Sequence, residues 1–519
     1  MFAIETSIVF APQPGAGVPV WRGTAGNGDA LLDFARSARA ADGRLAALWG
    51  EDARGRGEGY RLHVVFGLEE GHAWVMLPLP ADDPRSPDLS GIFPAANRMQ
   101  RATFDLVGLR HDGPDQRPWL RHGGWPAGWF PLRADAGPPP THANLPTDYP
   151  FVTVGGEGAH EIPVGPIHAG IIEPGHFRFS VVGERVLRLE QRLGYQHKGV
   201  ERRLAGADLV TGAKLIGRVS GDSTCAFAWA YASAVETACA TDVPARALGL
   251  RAVMLERERV ANQLGDLGAL GNDAALAFGL TQFLRLKEDW LRLNAEVFGH
   301  RFMMDRIVPG GVAVDPPAGA LAQLVAQGET MAREVAILRA IYDDHSGLQD
   351  RFVTTGTISA ELARELSITG FAVRACGLLL DGRAHRLGYT PPPPYAALGV
   401  RPASDERGDV AARAAVRFSE IAESLRLLRE LCVGLPSGEA RVTVVPQPHA
   451  EGLGVVEGWR GETLVGVRLD GDGRLARAHP HDPSWQNWPA LEHAVLKDIV
   501  PDFPLINKSF NLSYSGADL

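Results

Sequence analysis

The sequence predicts an α+β protein: a small α+β N-terminal domain followed by a large, mainly helical domain that carries a small β element. Three observations predict it. Short β-branched and aromatic runs stand within residues 1–135, a Pro/Gly-rich stretch occupies 136–149, and long helical segments dominate residues 150–519.

In chain order, residues 29–41 read as a helix. Residues 62–68 and 73–79 are apolar runs around Glu69-Glu70-Gly71-His72, the pattern of a hairpin. The stretch Ala136-Gly137-Pro138-Pro139-Pro140, with Pro146 after it, disfavours both helix and central strand and reads as an interdomain linker. Residues 222–240 are small, aromatic and almost uncharged, which suits a helix buried on most sides. Residues 244–270 set Leu248, Leu255, Leu264 and Leu267 among charges. A long amphipathic helix is expected there, its start favoured by Asp242 and Pro244. Residues 277–298, 317–343 and 409–434 read the same way. Residues 440–445 and 462–469, the latter closed by Asp470-Gly471-Asp472-Gly473, are expected as strands and a turn. No internal repeat is apparent.

Composition excludes several classes. With 45% apolar and 22% charged residues the chain is neither disordered nor collagenous nor membrane-spanning. A net charge of −9 and the absence of a lysine-rich patch argue against nucleic acid as a partner. The start of the chain lacks the basic and apolar regions of a signal peptide, and no uncharged apolar run reaches the roughly 18 residues of a membrane span, so membrane contact is expected only through partners. Cys225, Cys239, Cys376 and Cys432 stand far apart without a CxxC, which disfavours a disulfide scaffold, a four-thiolate zinc site or a chain-encoded iron–sulfur cluster. Gly155-Gly156-Glu157-Gly158 lacks the lysine of a phosphate loop and the spacing of a dinucleotide fingerprint, and reads as a turn. No GxSxG nucleophile elbow occurs.

Collinear blocks run through residues 150–519. They are Gly165-Pro166-Ile167-His168-Ala169-Gly170, Glu173-Pro174-Gly175-His176-Phe177-Arg178, Gly194-Tyr195-Gln196-His197-Lys198-Gly199-Val200-Glu201, residues 256–267, residues 299–312, residues 455–462 and residues 502–510. They resemble the 49-kDa subunit of respiratory complex I and the large subunits of membrane-bound, energy-converting nickel–iron hydrogenases. Residues 95–110, with Trp125 and Pro131-Leu132-Arg133, are similar to the complex I 30-kDa subunit. The fusion of both modules in one chain is that of the hydrogenase-4 and formate hydrogenlyase type, which draws the domains at 1–135, 136–149 and 150–519.

The resemblance implies a site. In the hydrogenases two CxxC pairs hold nickel and iron, because soft thiolates match those metals. The matching positions here are Ser220 and Ser223 in the first pair, and Ser513 and Gly516 in the second. No thiolate remains, so no metal is expected on this chain, and the protein is not expected to be an active nickel–iron hydrogenase by itself. In the complex I members the corresponding cavity binds a quinone headgroup beside an iron–sulfur cluster held by a small partner subunit. Arg218 falls where that family places an arginine near the cluster, and His168 and His176 lie in the loop of its quinone-contacting histidine. The tyrosine position is Gly221, and the histidine near Met303-Met304 is absent. The acceptor-cavity candidates are therefore His168, His176, Arg218, Ser220, Gly221, Ser223 and Ser513.

The implied protein is a peripheral oxidoreductase subunit on the cytoplasmic face of the membrane, with a small iron–sulfur subunit and antiporter-like integral membrane subunits as partners, no cofactor of its own, and quinone as an acceptor. The alternative is a non-catalytic coupling scaffold between peripheral and membrane arms. Plainer roles stand beside the functional ones: Arg218 pairing with a buried carboxylate, His168 and His176 bonding to backbone, Asp222 as a helix N-cap, Cys225 as an ordinary buried thiol, Glu457 and Glu462 in a salt-bridge cluster with Arg460, and Trp485 and Trp488 packing a surface loop or a subunit contact.

Overall fold

The computed structural model describes residues 4–15, 17–122, 125–138, 140, 149–168, 172–386 and 389–519. Most of the expected linker lies outside the described residues. The chain opens with β1 (Phe10–Pro12), β2 (Val20–Thr24), α1 (Gly28–Ala40), β3 (Arg44–Asp52), β4 (Tyr60–Leu68), β5 (Gly71–Leu79) and α2 (Ala96–Val107). The five strands form one sheet in the order β1-β2-β5-β4-β3, with β2 and β5 parallel and the other neighbours antiparallel. The expected hairpin is β4–β5. Its register pairs Leu68 with Gly71, so the turn is only Glu69-Glu70.

The second part begins with β6 (Ala159–Val164), β7 (His176–Val182) and β8 (Arg185–Arg192), a three-stranded antiparallel sheet. Then come α3 (Val200–Leu204), α4 (Leu209–Ile216), α5 (Thr224–Ala238), α6 (Ala245–Asp273), α7 (Ala277–Phe298), α8 (Ala320–Asp344) and α9 (Val410–Val433). The last five of these coincide with the helices expected from hydrophobic spacing to within a few residues at each end, while α3 and α4 were not expected. The chain closes with β9 (Glu451–Glu457), β10 (Glu462–Leu469), β11 (Leu475–His481), α10 (Ser484–Ala494), α11 (Phe503–Phe510) and α12 (Tyr514–Asp518). No helix among the described residues is long and apolar enough to cross a membrane.

Three expectations are corrected. Residues 440–445 form no strand, only a single bridge from Arg441 to Gly311. Trp485 and Trp488 lie buried in α10, not on a surface loop. The long helix α6 is not amphipathic: Arg251, Glu256, Arg257, Glu258, Arg259, Gln263 and Asp266 are buried with its leucines. Each of those charges has a partner from a distant part of the chain. Arg251 meets Glu236, with its Nη1 3.0 Å from Oε2. Glu256 accepts from Arg383 at 3.0 Å and from Tyr395 and Ser424 at 2.6 Å. Asp266 accepts from Arg417 at 2.9 Å. Arg257, without a carboxylate, lies 3.8 Å over the Trp290 ring and donates to the Trp290 carbonyl. Stranding one member of such a pair costs about 3–5 kcal/mol, so the interior is specified by charge matching as well as by packing.

The two parts share one interior. Val20, Trp49, Val65 and Trp74 of the first sheet pack on Leu453, Val455 and Leu464 of β9 and β10. Ion pairs cross the same seam: Arg22 and Arg61 to Glu451, Arg44 and His72 to Glu462, and Arg468 to Glu51. On its other face β9 lies against α5 so closely that a Cβ on Gly452 or Gly454 would run into the backbone of Ala234 or Ala230. This close contact needs the glycines of the strand and the small side chains of the helix together. It fixes the start of α5 beside the turn between β9 and β10, and thereby builds the site.

Candidate functional site

Ser220 precedes the short turn Gly221–Ser223 that leads into α5, and Ser513 caps α12 by accepting from the Gly516 amide at 2.9 Å. Although 293 positions apart, their hydroxyls are buried and 2.9 Å from one another. Ser220 also donates to Asp222 Oδ1 at 2.6 Å. Arg460, in the turn between β9 and β10, reaches into the same place. Its Nη2 lies 2.5 Å from Asp222 Oδ2, its Nη1 donates to Ser223 Oγ at 3.2 Å, and its Nε donates to the Asn511 carbonyl at 2.5 Å. The guanidinium rests 4.1 Å over the Trp459 ring, whose N–H bonds the Asp222 carbonyl. Gly516 completes the wall. A Cβ there would lie 2.5 Å from Asp482 Cγ, so the Asp482 carboxyl fills the space a side chain at 516 would need. Ser220, Ser223, Ser513 and Gly516 thus converge in one hydrogen-bonded cluster.

The charges around it differ in their setting. Burial pushes Asp222 up, but the charge and hydrogen bond of Arg460 outweigh it and hold the carboxyl below its usual range. Burial pushes Asp482 up, and its Oδ2 has no hydrogen-bond partner. Burial also carries Glu258 to about 8. The expected N-cap role of Asp222 is not observed: the free amides of Cys225 and Ala226 are bound by Glu258, reaching across from α6 at 2.6 and 3.1 Å.

The remaining candidates surround this pocket without entering it. Arg218 is exposed and forms a two-pronged pair with Asp305, both contacts at 2.7 Å, so its partner is a carboxylate but not a buried one. Gly221 is exposed, and a Cβ on it would meet nothing within 4 Å. His168 bonds the Gly175 carbonyl at 2.7 Å and His176 the Gly165 carbonyl at 3.1 Å, which makes both struts of their own loop. That loop is tied to the pocket by Glu173, which accepts from the Ser515 hydroxyl and amide, and by Gly175 against Tyr514. Neither histidine bonds a residue of the serine cluster among the described residues.

Sequence reasoning missed Asp305, Asn511, Asp482 and the role of Arg460. Glu457, Arg460 and Glu462 were expected to pair among themselves. Instead Glu457 binds Arg374 at 2.9 Å, Glu462 binds Arg44 at 2.5 Å and His72 at 2.8 Å, and Arg460 binds Asp222. Glu457 and Glu462 face each other across the hairpin, so like charges there each recruit an outside cation. The four cysteines are buried, and burial drives the Cys225 thiol well above its ordinary range. Among the described residues no three His, Cys, Asp or Glu side chains are placed to hold a metal ion.

The chain is similar to known proteins over nearly its whole length. The family described as respiratory-chain NADH dehydrogenase, 30 Kd subunit, matches residues 27–141, and that described as respiratory-chain NADH dehydrogenase, 49 Kd subunit, matches residues 266–447. Formate hydrogenlyase subunit 5 of Escherichia coli is 31% identical over 92% of this chain and 85% of its own length. Hydrogenase-4 component G of the same organism is 30% identical over 92% of this chain and 84% of its own. A chain of the membrane-bound sulfane sulfur reductase, an archaeal respiratory membrane complex, shares the fold with a TM-score of 0.64 at 24% identity, over 70% of this chain and 99% of that one.

Proposed function

Because the chain belongs to the family of fused complex I 30-kDa and 49-kDa subunits that includes formate hydrogenlyase subunit 5 and hydrogenase-4 component G, we propose that it is a peripheral subunit of a membrane-bound complex I-like oxidoreductase. It forms one wall of an electron-transfer site and carries no nickel–iron centre. The observation that carries this reading is the convergence of Ser220, Ser223, Ser513 and Gly516 in one buried cluster. Three hard hydroxyl donors and a glycine do not fit nickel and iron, which these relatives' scaffold holds through thiolates. Cys225 lies near, but its neutral, buried thiol faces the Phe302 carbonyl. No step is therefore routed through a metal on this chain.

In this reading a small partner subunit holds an iron–sulfur cluster against the rim that carries Arg218, and a quinone-type acceptor enters over Gly221, where the surface is open. Antiporter-like subunits anchor the assembly in the membrane, with this chain on the cytoplasmic side. The pocket's own polar groups hold a fixed cation and two carboxyls beside the acceptor, an arrangement suited to balancing charge as electrons arrive.

A second reading, a coupling scaffold, is favoured by how many of the polar groups are already engaged, although His176 Nε2 and Asp482 Oδ2 have no partner. Arg218 is spent on Asp305, Arg460 on Asp222 and Asn511, and both histidines on carbonyls. The test is acceptor-dependent reoxidation of the partner cluster in complexes carrying Arg218→Ala or His176→Ala. Slowed reoxidation supports the redox wall; rates equal to wild type support the scaffold.

A further inference from the structure

At the seam between the two parts of the chain, where β11 passes under the first sheet, an internal chamber of about 20 Å³ is lined by Glu201, His479, His481 and Trp485 together with apolar side chains such as Leu48, Met99, Leu106 and Leu120. The first four side chains are buried, and each presents one polar atom without a hydrogen-bond partner: Glu201 Oε2, His479 Nε2, His481 Nδ1 and Trp485 Nε1. Buried polar atoms without partners are rare, and four around one chamber call for a common occupant.

The rest of each side chain fixes what that occupant must offer. His479 donates through Nδ1 to Glu201 Oε1 at 2.8 Å, so its Nε2 is an acceptor. Gln486 donates to the Ala46 carbonyl at 2.7 Å, which orients its amide, and its nitrogen lies 2.9 Å from His481 Nε2. His481 Nε2 also lies 3.2 Å from Gln486 Oε1, so either of its ring nitrogens can carry the proton. Burial lowers both imidazoles, His481 to about 3, so both are neutral. The chamber then presents one donor, Trp485, two acceptors, His479 and Glu201, and His481 Nδ1 in either role. That is the complement of one water molecule, which needs roughly 10–15 Å³ and two to four polar partners.

Glu201 also lines a cavity of about 470 Å³ whose rim carries the exposed Lys198 and Arg203. His481 is followed by Asp482, whose partnerless Oδ2 faces Gly516 in the serine pocket. We propose that the chamber holds an internal water, and that Glu201, this water and the His479–His481 pair conduct protons from the seam to the acceptor site. The proposal rests on the redox reading above. Reduction of a quinone-type acceptor takes two electrons, supplied by the partner's iron–sulfur cluster, and two protons, which this route delivers to the two acceptor oxygens.

The experiment compares wild type, His481→Phe, which removes the ring nitrogens and fills the chamber, and His481→Gln, which keeps polar hydrogen-bonding atoms, in the intact complex. Each is assayed with a water-soluble short-chain quinone and with ferricyanide, which accepts one electron and no proton. The expected result is a quinone rate at least about tenfold lower in His481→Phe, with a larger solvent deuterium isotope effect, recovery in His481→Gln, and equal ferricyanide rates in all three. A His481→Phe complex that matches wild type with quinone overturns the route and leaves the redox reading standing. A wild-type complex that reduces ferricyanide but no quinone overturns both. Independently of any variant, high-resolution diffraction from the wild-type protein should show a water within hydrogen-bond distance of His479 Nε2 and Glu201 Oε2, and a dry chamber overturns the proposal.

Discussion

Replacing Gly516 by alanine tests whether Asp482 has taken the space of a fourth side chain at the serine pocket. The new Cβ would stand 2.5 Å from Asp482 Cγ and 2.9 Å from its Cβ. Those atoms belong to a short, fully buried side chain whose other oxygen holds the Ser484 amide at 2.8 Å at the start of α10. The neighbour cannot swing aside as the tip of a long side chain would, so α12 and α10 must separate. Overpacking of this kind costs about 2 kcal/mol. Asp482→Ala alone removes the bond to the Ser484 amide, about 1 kcal/mol, and opens the space. The double variant should therefore be no less stable than Asp482→Ala, a coupling of about 2 kcal/mol in the double-mutant cycle. Urea unfolding followed by tryptophan fluorescence suits the measurement, because Trp485 and Trp488 lie in α10 and Trp488 packs 4.8 Å from Tyr514. A Gly516→Ala protein within about 0.5 kcal/mol of wild type, or costs that simply add, would refute the reasoning.

Three further outcomes are expected. Arg374→Met removes a buried cation lying 2.9 Å from Glu457 and 2.5 Å from Glu420, and should lower stability by about 3–5 kcal/mol, seen as a fall in the urea midpoint. Glu258, raised to about 8 by burial, contributes stability that is complete below the unfolded carboxyl value of about 4.3 and is lost as pH rises toward 8. Glu258→Gln should remove up to about 1.4 kcal/mol per pH unit of that slope in melts from pH 5 to 8, and an unchanged slope would show the carboxyl ionised in the fold. All four cysteines are buried, with burial pushing Cys376 and Cys432 up to about 11, so a thiol reagent at pH 8 should label none in the native protein and all four after denaturation.

Local patterns carried the secondary structure well. The uncharged run that becomes α5 and the apolar spacing of α7 and α9 are properties of contiguous residues, and α7 has the expected bounds. The β4–β5 hairpin followed from two apolar runs around a polar turn. What failed was reading charge as exposure. Arg251, Glu256 and Asp266 look like the solvent face of α6, yet Glu236, Arg383 and Arg417, which pair with them, stand 15 to 151 positions away, which no window along the helix reveals. The same distance effect hid the pairing of Arg460 with Asp222, because nearer glutamates stood at 457 and 462. The strand β11 was missed because Ala476-Arg477-Ala478-His479-Pro480-His481 lacks a β-branched run, and its histidines each find one partner, Glu201 and Gln486, only once the fold assembles. The serine pocket was legible solely through family resemblance, which alone could align residue 220 with residue 513.

The central claim is a hydrogenase-type scaffold without a nickel–iron centre, and counting metal tests it most directly. Nickel and iron should be measured by inductively coupled plasma mass spectrometry on the intact complex and on this chain after dissociation. The account predicts no stoichiometric nickel in either sample and iron only with the partner subunits. About one nickel per copy of this chain would contradict it, because Ser220, Ser223, Ser513 and Gly516 could not then be the whole of the site.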